Sequence, residues 1–277
     1  SKRKDSPMTL CQTKTLTDSQ KNRILSLVSQ CCAYDAVSLS YPVSPKENAS
    51  HFLLYSQKKG QPNLVSALAL VPMDDSAMEC IAFTHPDWRR RHYFSRLLSS
   101  ALKSCHDQDL FFPVSGSSPD TAAALEALGA ELAYQEHRME IILPSSSQSV
   151  IPAFHAAHWN ADSSCPPAFP RLKPPHSLYA SPACWTLFLP DHPNHKAGSL
   201  LTSPIGSDHL CLHQVEILPD LKNQGYGTIM ICCLLDYLAK TPIRKVSLQV
   251  SGENIPAMAL YKKTGFQIAE TLSYYLY

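Results

Sequence analysis

A strand that runs directly into a glycine-punctuated helix start constrains this chain more than any other stretch. It spans His209 to Thr228, reading HLCLHQVEILPDLKNQGYGT. Leu210 to Leu218 is a short apolar-rich run stopped by Pro219, the pattern of a strand, and Tyr226 to Lys240 is an apolar segment of helix length. Between them lie Lys222, Asn223, Gln224, Gly225, Tyr226, Gly227 and Thr228. Two glycines at a strand-to-helix turn permit close backbone approach, and the first N–H groups of a helix lack intrahelical partners. Together they make an anion cradle suited to a phosphate. Taken alone, a G-x-G is equally a tight turn.

The next segment narrows the choice. Lys245 to Val250 reads as a second strand, followed by SGENIPAMALYKKTGF from Ser251 to Phe266. A turn at Asn254, a helix from Ile255 to Tyr261 and Gly265 at the C′ position complete a strand-turn-helix unit. The series K-x-x-G-x-G after a strand, then V-x-L-x-V, N-x-x-A and L-Y-x-x-x-G-F, resembles the acetyl-CoA-binding half of GNAT-family N-acyltransferases. The resemblance covers the chain from His209 onward. It departs from the family in one place, where Lys222 stands for the usual Arg or Gln at the head of the loop. Lysine keeps a cation beside phosphates but loses the bidentate fork.

Bulk properties set outer bounds. With 277 residues the chain can build one large domain or two small ones with real cores. A formal net charge of +1 gives no overall pull toward nucleic acid or an anionic membrane. The terminal run Lys2-Arg3-Lys4 has no apolar segment behind it, and the longest apolar run, Ile229 to Leu235, is far below a membrane span. A cytoplasmic protein without nucleic-acid or membrane partners is expected. The ten cysteines include the adjacent pairs Cys31-Cys32 and Cys232-Cys233 inside helical patterns and no C-x-x-C, the usage of reduced core cysteines. His155/His158 and His192/His195 have metal-like spacing but no accompanying Cys or carboxylate ligand, so no metal is expected.

In chain order, residues 1 to 7 read as a tail. A helix follows, capped by Thr17 or Asp18, with Ile24, Leu25, Val28 and Cys32 as its apolar face. His51–Tyr55, Leu64–Val71 and Met78–Thr84 form a three-strand meander, with Lys58 to Pro62 turning between the first two. Thr84-His85-Pro86 and Arg89-Arg90-Arg91 then precede a helix from Phe94 to Lys103, and Leu128-Gly129-Ala130 resembles a decayed L-Y-x-x-x-G-F ending. This is the order of the C-terminal unit, an internal repeat. In the first copy His92 and Phe94 stand where the glycines are, and their side chains would fill the space of a pyrophosphate. Its arginines are then solvated or meet the partner lobe.

Ala133 to Leu143 reads as a strand closing the first lobe, with Glu136, Arg138 and Glu140 alternating against apolar residues. Ten of the 22 prolines fall between Pro144 and Pro193, which rules out long helices there. That stretch holds at most a short helix near Ala153 to Trp159 and strands near Cys184–Leu189 and Gly198–Leu201. The expected fold class is α/β, two tandem GNAT-like lobes, each a mixed, mostly antiparallel central sheet flanked by helices. The expected divisions are 8–143 for a degenerate lobe, 144–175 for a Pro/Ser-rich linker and lobe start, and 176–277 for an acetyl-CoA-binding lobe.

The resemblance implies an acyl transfer from acetyl-CoA, as co-substrate, to an amine of a small-molecule or peptide acceptor. It places the donor's phosphates on Lys222 through Thr228 and the pantetheine arm along Val215 to Ile217, with a backbone N–H near Val215 facing the thioester oxygen. Independently, Leu210 and Leu212 share one strand parity while Val215 and Ile217 share the other, so the apolar face switches near His213-Gln214, as across a bulge. Tyr261 matches the family's proton-donating tyrosine and is equally a core aromatic. Glu216 or His213 is the nearest base, Glu216 being equally a solvated strand residue. Asn254 bonds the donor or its own turn. The alternatives are a thiol-precursor acyltransferase like mycothiol synthase, and a non-catalytic acyl-CoA-binding sensor. Oligomeric state and acceptor identity are not encoded in any motif.

Overall fold

In the first half of the chain, two runs are apolar on both sides of the pleat, the mark of strands covered on both faces. The computed structural model describes residues 7–58, 61–105, 108–116, 118–144, 170–179, 181–189 and 194–277. The turn at Lys59-Gly60, most of the linker, the short helix near 153–159 and His155, His158 and His192 lie outside the described residues. Chain contacts divide the protein into two units, 1–135 with 271–277, and 136–270.

The first unit is a sheet in the order β1 (Met8–Thr13), β2 (Ser50–Lys58), β3 (Gln61–Pro72), β4 (Ala77–Thr84), β5 (Asp109–Ser115) and the end of β12 (Gln267–Leu276). All neighbours are antiparallel except β4 and β5, which pair in parallel over Ala77↔Asp109 to Glu79↔Phe111. Phe52 and Leu54 of β2 join one core with α2 (Tyr93–Leu102) and α3 (Pro119–Leu128), while Leu53 joins another with α1 (Asp18–Asp35). Helices therefore cover both faces. Thr17 caps α1 in a reciprocal box with Gln20. Ile24, Leu27 and Cys31 of α1 are buried, and Val28 and Cys32 pack against the same core as expected; Leu25, expected with them, is 48% exposed.

The second unit orders its strands as β6 (Glu131–Ile142, from Glu136), β11 (Lys245–Ser251), β10 (His209–Ile217), β9 (Lys196–Pro204), β8 (Ala183–Phe188) and β7 (Arg171–Lys173). Only β10 and β11 are parallel. Helices α4 (Tyr226–Ala239) and α5 (Ile255–Lys263) cover one face through Met230, Ile231, Leu234, Met258 and Tyr261. The other face carries polar residues: Glu140 bridges Arg138 and Lys245 at 2.7 and 2.6 Å, and His209 Nε2 lies 2.8 Å from Ser247 Oγ.

The strand expected to close the first lobe begins in the first unit, through Gln135, and continues into the second, where it pairs with β11 over Glu136–Ile142. The chain's last strand fills the edge of the first unit against β5, over Leu272↔Ser115 to Leu276↔Phe111. Sequence periodicity carries no record of such an exchange, since both strands alternate in the same way. Tyr274 on the returning strand is buried and stacks on Tyr134 at 4.5 Å. Tyr274→Ala is expected to cost about 3 kcal/mol in urea denaturation. Leu132→Ala, at a 53% exposed site, should change it by less than about 0.5 kcal/mol.

Candidate functional site

The parallel register of β10 with β11 covers only His209↔Lys245 to Leu212↔Leu248. Beyond it the antiparallel pairing with β9 shifts, so that Gln214 and Val215 together oppose Leu200, and Gln214 takes φ +45°. This bulge sits where the apolar parity switches. By rotating the strand it keeps Leu210, Leu212, Val215 and Ile217 on one core and disrupts the ladder at Gln214-Val215. Glu216 is exposed just past it. His213 Nδ1 lies 3.8 Å from Cys211 Sγ.

From there Pro219–Leu221 forms a 3-10 turn, closed by Lys222 N–H donating to the Pro219 carbonyl. Asn223 at φ +61° and Gly225 at φ +88° turn the backbone into α4. Gly225 is the N-cap and offers no side chain to the helix start, while Ile229 N–H is the first to bond back, to the Gly225 carbonyl. The N–H groups of Tyr226, Gly227 and Thr228 are therefore available at a helix terminus with no acidic residue in its first turn. Gln224 is tied to the Asp220 carbonyl at 2.7 Å, and Lys222 is exposed. The two glycines differ in what they permit. A Cβ on Gly225 meets nothing within 4 Å, so its requirement is the positive φ; a Cβ on Gly227 would come 3.4 Å from Leu260 and 3.9 Å from Ile217, so Gly227 keeps open the gap between β10 and α5.

On the other side of that gap Asn254 caps α5, its Oδ1 accepting from Ala257 N–H at 3.1 Å, which is the bond to its own turn. Tyr261 is 7% exposed and packs edge-on to Phe266. Burial raises its pKa, which makes the phenol a weaker acid than a free tyrosine, one that is protonated near neutrality as any tyrosine is. Gly198 was missed in the sequence. A Cβ there would lie 2.5 Å from the Glu216 carbonyl oxygen, so only glycine lets β9 follow the bulged end of β10. A glycine inside a strand pattern was the available signal.

The first unit repeats this construction residue for residue with altered chemistry. Pro86–Trp88 forms the 3-10 turn, Arg90 takes φ +58°, and His92 holds the left-handed N-cap position at φ +59°. Arg89 stands at the place of Lys222, Phe94 at that of Gly227, Ser118 at that of Asn254 and Leu125 at that of Tyr261. No register shift interrupts β4 against β3 beside this turn. The arginines are neither merely solvated nor dependent on the other lobe. Arg89 is clamped by Asp35 at 2.6 and 2.8 Å and by Asp120 at 3.2 Å, its Nε donates to the Thr84 carbonyl, and Arg90 also binds Asp120. Asp35 at the end of α1 and Asp120 at the start of α3 are far apart in sequence, so the pairing is a tertiary event. The Arg89 guanidinium, with help from Ser118, holds Asp35 below the ordinary value of 3.8. The pair's contribution to stability is thus present above that value and lost as pH falls through the lower folded one. Asp35→Asn should lower stability by about 2 kcal/mol at pH 7, and the difference from the wild type should vanish in denaturation at the acid end of that window.

Comparison with known proteins agrees with this construction. Residues 154–266 match the model of the acetyltransferase (GNAT) family. Over 87 residues the chain is 33% identical to mycothiol acetyltransferase of Saccharomonospora viridis, covering 31% of this chain and 26% of that protein. Over 76 residues it is 30% identical to the ribosomal protein bS18-alanine N-acetyltransferase of Escherichia coli, covering 27% and 51%. The chain thus spans between about a quarter and a half of the length of these relatives. A tandem GNAT protein from the clavulanic acid biosynthesis pathway superposes with a TM-score of 0.64 at 14% identity, over 98% of both chains. A GCN5-related N-acetyltransferase from Sphaerobacter thermophilus superposes at 0.62 and 12%, over 97% of this chain and 95% of that one. The chain therefore carries a domain of the acetyltransferase (GNAT) family at residues 154–266, on a fold it shares with tandem GNAT proteins.

Proposed function

We propose that the second unit binds acetyl-CoA and transfers its acetyl group to an amine. The observation that carries this reading is the uncapped start of α4 directly after the bulge of β10, with Gly227 holding the gap beside it open. These features fit the donor. The N–H groups of Tyr226, Gly227 and Thr228, with Lys222, Asn223, Gln224 and Gly225, would hold the pyrophosphate, while Val215, Ile217 and Asn254 would line the arm. The donor supplies an activated acyl carbon.

The remaining work falls to side chains and backbone. The acceptor nitrogen must lose a proton, which Glu216, exposed beside the bulge, or His213 would take directly or through water. As the nitrogen bonds to the acyl carbon, the carbonyl oxygen gains negative charge. The Val215 N–H would stabilise it, because a donor freed by the bulge is fixed in place before the reaction. When the carbon–sulfur bond breaks, the thiolate needs a proton, and the Tyr261 phenol, protonated near neutrality, would supply it. Both relatives are named for acetyl transfer, one of them to an alanine. Similarity to a mycothiol acetyltransferase favours, as a second reading, an amine on a small thiol precursor. No helix of the described residues is long and apolar enough to cross a membrane, and their nine cysteines are free. Both suit our placement of the reaction in the reducing cytoplasm.

One coenzyme A per chain is expected by isothermal titration, and a folded Gly227→Val protein should lose it, because the added carbons close the gap at Leu260 and Ile217. Unchanged affinity in that variant, or two molecules per chain, would refute the assignment. A panel of amines assayed by release of the CoA thiol identifies the acceptor. With it, Tyr261→Phe should lower kcat by about 10²–10⁴-fold, on the order of 3–5 kcal/mol of barrier, with little change in donor KM. Wild-type kcat in that variant would remove the proton-donor role and leave the rest standing.

A further inference from the structure

On the reading that the second unit transfers an acetyl group to an amine, we propose that His213 is the base and that Cys211, Ser247 and His209 relay the acceptor's proton from it to solvent. Side chains alternate along a strand, so His209, Cys211 and His213 share the face of β10 opposite Leu210 and Leu212. The parallel register sets Ser247 of β11 beside Cys211. The four side chains form one line. His213 Nδ1 lies 3.8 Å from Cys211 Sγ, the Ser247 hydroxyl hydrogen-bonds the same thiol, and Ser247 Oγ lies 2.8 Å from His209 Nε2. The thiol's other contact, the Leu212 carbonyl at 4.0 Å, is longer.

Every link in this line can both accept and donate a hydrogen bond. Ser247 is 3% exposed, which shields its hydroxyl from competing water. Burial pushes the Cys211 thiol up, against the opposite effect of Ser247, so the thiol is neutral and has a hydrogen to hand on. At the far end burial lowers the pKa of His209; Lys245 and Arg138 add to this, while Glu140 and Asp208 oppose it. The His209 ring is therefore neutral near neutrality and keeps one nitrogen free to accept. It is only partly buried, so water reaches it.

The first unit has no such line. Counted from the first pair of each parallel register, His209, Cys211 and Ser247 correspond to Ala77, Glu79 and Phe111. Ala77 and Phe111 carry no exchangeable side-chain hydrogen, so the line is interrupted in the unit that also lacks the bulge.

The proton balance closes at each link. As the acceptor nitrogen bonds to the acyl carbon, its proton passes to His213 Nε2, and the hydrogen on His213 Nδ1 passes to Cys211 Sγ. The thiol hydrogen moves to Ser247 Oγ and the hydroxyl hydrogen to His209 Nε2, whose ring gives up its Nδ1 hydrogen to water. Cys211 and Ser247 each gain and lose one proton, and exchange of the ring hydrogens with water restores both histidines between turnovers. Cys211, Ser247 and His209 are thus positioning residues that act through His213.

The test begins with nitrogen-15 spectra of the histidine-labelled full-length chain, which read the tautomer of each ring without an acceptor; His209→Gln and His213→Gln assign the signals. Both rings should carry hydrogen on Nδ1, His213 donating to Cys211 and His209 accepting at Nε2 from Ser247. Ser247→Ala, shown folded by circular dichroism, should move hydrogen to His209 Nε2. With the amine identified by release of the CoA thiol, Cys211→Ala and Ser247→Ala should each lower kcat about tenfold and leave donor KM unchanged. Added imidazole, which takes the proton from His213 directly, should restore the rate, and Cys211→Ser should recover what Cys211→Ala loses; a purely structural role would answer to neither. Hydrogen on Nε2 of either wild-type ring, wild-type kcat in Ser247→Ala, or losses that neither imidazole nor Cys211→Ser repairs would overturn the relay. A wild-type chain that fails to bind coenzyme A in titration would instead remove the donor reading beneath it, and the relay with it.

Discussion

Two parallel strands that stop pairing after a few residues set the geometry of each unit. In the second unit β10 and β11 share four register positions, from His209↔Lys245 to Leu212↔Leu248, and in the first β4 and β5 share three. A parallel pair needs a crossover helix, and the helix that follows each first strand begins where the partner strand has moved away. The uncapped helix terminus thus faces a space instead of a neighbouring strand. Among the described residues, the bulge and the glycines lie at such a parting in one unit, and a cavity lined by Ala82, Phe94 and Phe112 lies at it in the other.

The same backbone supports both because the chain preserves the turn while changing what lines it. Asn223 and Arg90 share a left-handed φ, and so do Gly225 and His92. A non-glycine residue at such a φ is held against a modest steric cost by the structure around it. In the first unit the clamp of Arg89 by Asp35 and Asp120 supplies that hold, tying the turn to the end of α1 and the start of α3. In the second unit Lys222 is exposed and the turn relies on Gly225 and on Gln224 bonded to the Asp220 carbonyl. A closed ion-pair cluster fixes a loop, whereas an open cation with free N–H groups leaves electrostatic attraction for a bound anion. The copies thus differ at this turn in that Arg89 is paired within the unit while Lys222 is exposed.

The bulge of β10 links packing to chemistry. Without the extra residue, Val215 and Ile217 would turn away from the core that holds Leu210 and Leu212, because side chains alternate along a strand. Hydrophobic burial therefore enforces the irregularity, and Gly198 permits it by letting β9 approach the Glu216 carbonyl. An irregularity maintained by core packing needs no functional group to hold it.

The sequence by itself determined the local pieces of this protein. Strand and helix periods, the Thr17 cap, the turn into α4, Gly265 as a left-handed stop and the parity switch at His213-Gln214 all depend on residues within a few positions of one another, so short-range chemistry encodes them. Strand β1, a six-residue edge strand, escaped because so few residues carry little periodic signal, and β5 and β12 escaped as well. Tertiary structure alone decided which strands complete which unit and the pairing of Arg89 and Arg90 with aspartates. Glu136–Ile142 and the last strand alternate alike, and nothing within either says which sheet it will join. Arg89 meets Asp35 across 54 positions. Such pairings depend on chain closure, whose energy is set by the whole fold and not by the neighbours of any one residue.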